Sequence, residues 1–332
     1  MPVFIRLICL LASLFLLSCE SYIGVKTAPE KTAKYELSPA REDAVDLFWE
    51  VFLSGQYDRI SQVLTALKAA YLANPNDPEL ALDIAHSHLW RISERFRLNT
   101  TTDPNITDDL TLAIKYFEEA KKLSPDDHRI DGWLAGARIA EAAVHNDEKD
   151  KRRAYFDGLE AIKRYPEFNY FSIGYLMSNA VPTNKHYQDA IEGYFKSMDI
   201  AYHRSVDRQQ PSLAPYLALQ GEEQNLRLKL AVWNSAKAPH NVEGYYLNFG
   251  DFLVKSGQLA QAKIIYQNAQ LMDSYDSWPF AYILEERLNN LETNTAAFGT
   301  SFSPRDFKNH QHSVHKRMIF NSYNCMICHQ SE

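Results

Sequence analysis

Two thiols and an imidazole lie within one short segment of this chain, NCMICH at residues 324–329. Thiols two residues apart can each form a thioether with a vinyl group of a porphyrin, and a histidine directly after them can bind the porphyrin iron. Cys325, Cys328 and His329 therefore have the spacing of a c-type haem-attachment site, with His329 as the proximal iron ligand. Because few residues follow His329, we expect the walls around such a haem to come from the rest of the chain or from a partner.

Histidines upstream of the two cysteines are candidates for the second axial ligand. The stretch FKNHQHSVHK at 307–316 contains His310, His312 and His315. The spacing of the last two resembles the His-x-x-His sequence ahead of the first haem in class III multihaem cytochromes. In that family such histidines are distal ligands, so the resemblance implies that His312 or His315 is the sixth iron ligand, with His310 the weaker candidate. The nine residues between His315 and Cys325 can span up to about 30 Å, enough to cross the porphyrin ring.

Three other interpretations of these residues stay open. The upstream histidines, the two cysteines and His329 could together bind zinc, since sets of two cysteines and two histidines suit its tetrahedral geometry. The thiols could instead form a redox disulfide, although no thioredoxin-like βαβ pattern surrounds them. The histidines could also be solvated residues without a ligand role. We predict a single covalent haem, with zinc or no cofactor as the alternative.

The first nineteen residues, MPVFIRLICLLASLFLLSC, predict export to the cell envelope. One positive charge precedes an apolar run that is too short to span a bilayer comfortably, as in secretory signals. The run ends in Leu16-Leu17-Ser18-Cys19, which resembles the lipobox of bacterial lipoproteins. The resemblance implies that the signal peptide 1–18 is removed and that Cys19 is acylated. The alternatives are an ordinary signal with a chance cysteine, or an uncleaved anchor.

Signal-peptide removal and acylation would determine both the location of the mature chain and which of its cysteines remain free. Two or more acyl chains give stable anchoring, at about 0.8 kcal/mol per buried methylene. Glu20 follows Cys19 where Asp would favour the inner membrane, so we expect the periplasmic side of the outer membrane. Cys9 would be removed with the signal, which leaves Cys325 and Cys328 as the only free thiols.

The composition predicts an all-α fold, because glycine is scarce and strand-like alternation is nearly absent. Within residues 39–291 one spacing recurs: an alanine, then after three residues Phe, Gly or Tyr, and then after two more residues another alanine. It is found in AIKYFEEAKKLSP from Ala113, in AYFDGLEAIKRYP from Ala154 and in AKIIYQNAQ from Ala262. This pattern resembles the second helix of a tetratricopeptide repeat. Small residues let two helices approach closely, and a following proline ends the helix.

The repeats predict a solenoid of about six helical hairpins. Turns are expected at Gly55-Gln56-Tyr57 and Gly257-Gln258-Leu259, and residues 278–291 are expected to form the closing helix. The gap between the later repeats predicts one degenerate unit, marked by Leu226, Leu230, Trp233 and Pro239. Residues 19–38 are expected to be a tether, and residues 292–332 an irregular tail that carries the attachment motif. The alternative is an irregular all-helical domain.

Charge and residue pattern exclude some functions and favour others. The net charge of −7 and the absence of a basic cluster argue against nucleic-acid binding. His86 and His88 are two residues apart on one helix and so point to different faces; we interpret both as ordinary helix residues. Since no other catalytic constellation is found, the chain is not expected to be an enzyme in its own right.

The sequence thus leaves two classes of function. The first is a membrane-anchored repeat scaffold whose haem transfers electrons or senses redox state, with a protein partner bound on the concave face of the solenoid. The second is a non-redox repeat lipoprotein. It would act as an adaptor in envelope assembly, or deliver small ligands as the repeat lipoproteins beside some solute transporters do.

Overall fold

A computed structural model describes residues 22–94, 106–174, 177, 180–219, 242–299, 318–319 and 325–330. Two compact units are present, Met1–Ala33 and Lys34–Glu332. In the first unit, residues 22–27 are helical, residues 28–33 have no regular secondary structure, and all of them are exposed. Cys19, His310, His312 and His315 lie outside the described residues. No helix in the described part of the chain is long and apolar enough to span a bilayer.

The second unit is built of α-helices, and no strand occurs in its described ranges. The all-α prediction is confirmed. The helices are α1 (Pro39–Leu53), α2 (Ile60–Ala73), α3 (Pro78–Ser93), α4 (Ile106–Leu123), α5 (Arg129–His145), α6 (Glu148–Arg164), α7 (Pro166–Gly174), α8 (Lys185–Ala201), α9 (Val242–Lys255), α10 (Leu259–Ala269), α11 (Ala281–Asn289), α12 (Leu291–Gly299) and α13 (Met326–His329).

Local sequence signals determine where several of these helices begin. A short polar side chain precedes the first turn and accepts hydrogen bonds from the free backbone N–H groups there. The capping residues are Ser38 for α1, Asp77 for α3, Asp147 for α6 and Asn184 for α8. Pro39 and Pro78 follow two of these caps, at a position where the missing N–H costs nothing.

Tight turns join α1 to α2 and α9 to α10 at the two predicted glycines. The backbone φ angle is +65° at Gly55 and +78° at Gly257. This left-handed region is accessible to glycine without steric cost. The chain therefore reverses where the Gly-Gln-aromatic and Gly-Gln-Leu sequences indicated.

Helices that follow each other in the chain pack against each other in pairs. The alanines of the recurring pattern are all buried: Ala113, Ala120, Ala154, Ala161, Ala262 and Ala269. At the third repeat, a Cβ atom on Gly250 would lie 2.1 Å from the ring of Tyr266, so α9 and α10 approach as closely as a glycine allows. The markers of the degenerate unit (Leu226, Leu230, Trp233 and Pro239) lie outside the described residues.

Helical packing continues beyond residue 291, where the sequence placed the start of the tail. Helix α12 packs on α9 and buries Phe298, and the Arg287 guanidinium lies 4.8 Å from the centre of that ring. The short helix α13 contacts both α1 and α9. Segments that the sequence assigned to an irregular tail therefore contribute to the helical core.

A buried ion pair links α9 to α11, and the segment before α13 is hydrogen-bonded to it. The Asp251 carboxylate in α9 lies 3.0 Å from Arg287 Nε in α11, and both side chains are fully buried. The Tyr266 hydroxyl donates to the same carboxylate at 2.7 Å, and the Ile319 backbone N–H donates at 2.8 Å. Burial of this charge pair is compensated by these additional hydrogen bonds.

Candidate haem-attachment site

The motif segment forms one helical turn. The backbone N–H groups of Cys328 and His329 both donate to the Cys325 carbonyl, at 3.1 Å. Residues four apart on a helix lie on the same face. This turn therefore puts Cys325 and His329 side by side.

Three parts of the helical array hold this turn in place. The Met326 N–H donates to Glu94 Oε1 at 3.0 Å, just after α3, and Trp278 Nε1 donates to the Ile327 carbonyl at 3.0 Å. The ring of His329 lies 5.1 Å from that of Phe52 in α1. Met326 and Ile327 have no exposed surface, so the motif is part of the core.

Helix α9 accommodates the motif because residue 244 is glycine. A Cβ atom there would lie 2.6 Å from Cys328 Sγ and 2.6 Å from the Ile327 carbonyl oxygen, closer than real contacts allow. The amide of Asn248, one turn further along, lies 4.0 Å from the same sulfur. Cys328 is thus enclosed against α9.

Cys325 and His329 line one cavity of about 420 Å³. This volume lies within the range of about 300–1,000 Å³ that is typical of small-molecule sites. The walls are mostly aromatic and aliphatic side chains; they include Tyr35, Phe48, Trp49, Phe52, Leu82, Leu89, Ile130, Trp133 and Phe168. A small apolar recess of about 40 Å³ shares Leu89, Trp133 and Cys325 with it.

One part of the cavity wall is charged. Arg129 makes a two-pronged contact with Asp127, at 2.9 and 2.7 Å, and both residues line the cavity together with Glu79 and Asp83. The hydrogen bond to Asp127 raises the pKa of Arg129. The site therefore combines an apolar interior with a cation and carboxylates.

The two thiols are held in their protonated forms. Burial, with a smaller contribution from Glu94, raises the pKa of Cys325 to about 12. Burial also raises the pKa of Cys328, and Cys325 adds to this effect. Since the thiolate is the reactive form of cysteine, these thiols are poor nucleophiles while the segment is docked.

These residues fit a haem at two of the three attachment groups. Cys325 and His329 line a cavity whose mostly apolar walls suit a porphyrin, whereas Cys328 is not among its lining residues. A second thioether would need the Cys328 side chain to turn from α9 towards the cavity. No three His, Cys, Asp or Glu side chains within the described ranges are arranged to bind a metal ion, and the upstream histidines of the zinc alternative lie outside those ranges.

The histidines of α3, interpreted from the sequence as ordinary helix residues, differ in their surroundings. His88 is buried and its Nδ1 lies 2.7 Å from Asp109 Oδ1, as expected of a structural histidine. His86 lines the cavity. No local sequence signal indicated this difference, because it depends on which side of α3 the motif docks.

Comparison of the chain with protein-family models, curated proteins and solved structures found no match.

Proposed function

We propose that this chain carries one haem, bound covalently through Cys325 and Cys328 with His329 as proximal ligand. It would use the haem to transfer electrons or sense redox state with a protein partner. The observation that carries the proposal is that Cys325 and His329 line the same apolar cavity. A thiol and an imidazole side by side in an aromatic enclosure would supply one thioether and the proximal ligand of a haem attached at this motif.

The chain's own residues would have distinct roles around this group. His329 would hold the iron, and its contact with Phe52 would fix the orientation of the ring. Phe48, Leu89 and Trp133 would keep water from the porphyrin, and a low-polarity setting of this kind tunes the potential of the one-electron chemistry that haem supplies. The Arg129 guanidinium would pair with a propionate group of the haem. That propionate would compete with the Asp127 carboxylate for Arg129.

The proposal includes a scaffold of the tetratricopeptide type. Its support is the burial of the repeated alanines, the positive φ angles at Gly55 and Gly257, and the pairwise packing of helices. A concave face of such an array is where a protein partner would bind. An experimental structure that placed something other than a helix pair at residues 220–241 would argue against a regular repeat array.

Covalent attachment is tested by staining for haem after denaturing electrophoresis. Wild-type protein from a host with active c-type maturation should stain and show a Soret band. Cys325→Ser with Cys328→Ser should lose the stain completely, because only thioether-bound haem survives denaturation. A colourless, unstained wild-type protein would contradict the proposal.

Anchoring at the membrane is proposed through acylation of Cys19, on the periplasmic side and in the outer membrane. Cys19→Ala should abolish incorporation of a labelled fatty acid while leaving haem staining intact, since Cys19 is not part of the attachment motif. Equal labelling of the wild type and the variant would show that Cys19 is not acylated.

The cavity also supports a second candidate, a non-redox lipoprotein that delivers a small apolar ligand or acts as an envelope adaptor. An aromatic cavity of about 420 Å³ could accept such a ligand without haem. Wild-type protein purified without haem but with a small molecule bound would favour this candidate. Stoichiometric zinc without haem would favour the metal alternative.

A further inference from the structure

His86 has an unusual position among the histidines of the described part of the chain. It lies in the middle of α3 and lines the cavity that Cys325 and His329 also line. Its Nε2 atom is buried and has no hydrogen-bond partner among the described residues. Since buried polar atoms in proteins nearly always have a partner, this nitrogen calls for an explanation.

Aromatic neighbours pack against the ring of His86. The rings of Phe117 and Trp133 meet it edge to face, at centroid distances of 5.4 and 5.5 Å. Burial, aided by Arg129 and opposed by Asp127, lowers the pKa of His86 to about 4.

His88 provides a contrast on the same helix. Its Nδ1 is paired with Asp109, and it is absent from the residues that line the cavity. Two residues along a helix correspond to a rotation that turns the side chain to another face. The Nε2 atom of His88 is likewise buried without a hydrogen-bond partner among the described residues, so what distinguishes His86 on α3 is that it lines the cavity.

We infer that His86 is the second axial ligand of the haem held at Cys325 and His329. This inference rests on the proposed function, and it assigns the ligand to the helical array instead of to His312 or His315. Iron coordination would supply the missing partner of Nε2. It would also make haem binding link α3 to the motif, so that the cofactor is enclosed by histidines of the same chain.

The test compares spectra of the full chain purified with haem attached. Wild-type ferric protein should be six-coordinate and low-spin, and its ferrous form should bind carbon monoxide slowly or not at all. His86→Ala should keep the haem stain on a denaturing gel, lose the low-spin spectrum and bind carbon monoxide rapidly. Added imidazole should restore the low-spin spectrum. His88→Ala, the matched control, should remain low-spin.

A second variant covers the case in which His86→Ala does not accumulate. His86→Met retains a ligating atom and should stay low-spin with a raised reduction potential, because methionine ligation raises the potential of haem iron. An unchanged potential in this variant would overturn the assignment.

The outcomes separate this inference from the proposed function. A low-spin His86→Ala protein with covalent haem would overturn the assignment of His86 alone. So would conversion to high spin by His312→Ala or His315→Ala with His86 intact. A wild-type protein without haem would overturn the proposed function and this inference with it.

Discussion

Gly244→Val should release the motif segment from the helical array. The first side-chain carbon would lie 2.6 Å from both Cys328 Sγ and the Ile327 carbonyl oxygen, and a backbone carbonyl cannot turn aside as a flexible side chain can. Release would return the Cys325 thiol, whose pKa burial raises to about 12, to its ordinary range. Because the thiolate fraction at pH 8 changes tenfold with each pKa unit, alkylation of Cys325 by iodoacetamide should accelerate on the order of 10³-fold.

The alkylation experiment uses reduced full-length protein made without haem-attachment machinery, with labelling of Cys325 followed by mass spectrometry. Gly299→Val is the matched control, since a Cβ atom on Gly299 would meet nothing within 4 Å; it should label as slowly as the wild type. Slow labelling of Gly244→Val would mean that α9 yields to the valine and the motif stays docked.

Arg287→Ala should cost about 3–5 kcal/mol of unfolding free energy, because it leaves the buried Asp251 carboxylate without its charged partner. Asp251 is fully buried and also holds the Ile319 N–H at 2.8 Å. The substitution should therefore also loosen the chain just before the motif. Urea denaturation followed by circular dichroism measures the loss.

An exposed ion pair serves as the control for this substitution. Arg153 pairs with Asp150 on the surface of α6, and both side chains are more than half exposed. Exposed pairs contribute little, so Arg153→Ala should change the unfolding free energy by no more than about 0.5 kcal/mol. If both variants unfolded at the same urea concentration, the buried pair would not have the stabilising role assigned to it.

Those features of the fold that depend on neighbouring residues could be predicted from the sequence. Alanines at Ala113, Ala154 and Ala262 indicated close helix contacts, and all three are buried. Gly55 and Gly257 indicated turns, and both have positive φ angles. Each of these signals lies within a few residues of the structure it specifies, which is why spacing and residue type were sufficient.

Features that depend on contacts between distant segments could not be predicted in this way. The motif was expected to need walls, but nothing local to it indicated that Glu94, Gly244 and Trp278 would hold it. The two-residue spacing correctly indicated that His86 faces a different side of α3 from His88. That side of α3 lines a cavity because residues 325–329, which are remote in sequence, dock there.

The hydrogen bond between Glu94 and Met326 joins residues 232 positions apart in the chain. Contacts of this kind form late in folding, since the intervening chain must be ordered before its ends can meet. Under the proposed function, thioethers have to form before that moment, because docking raises the pKa of both thiols, which lowers the thiolate fraction, and buries Cys328. Haem delivery would then compete with folding for a limited time, and a chain that folded first would remain without cofactor. By the same reasoning, Gly244→Val, whose motif stays accessible for longer, should carry haem in a larger fraction of its molecules than the wild type.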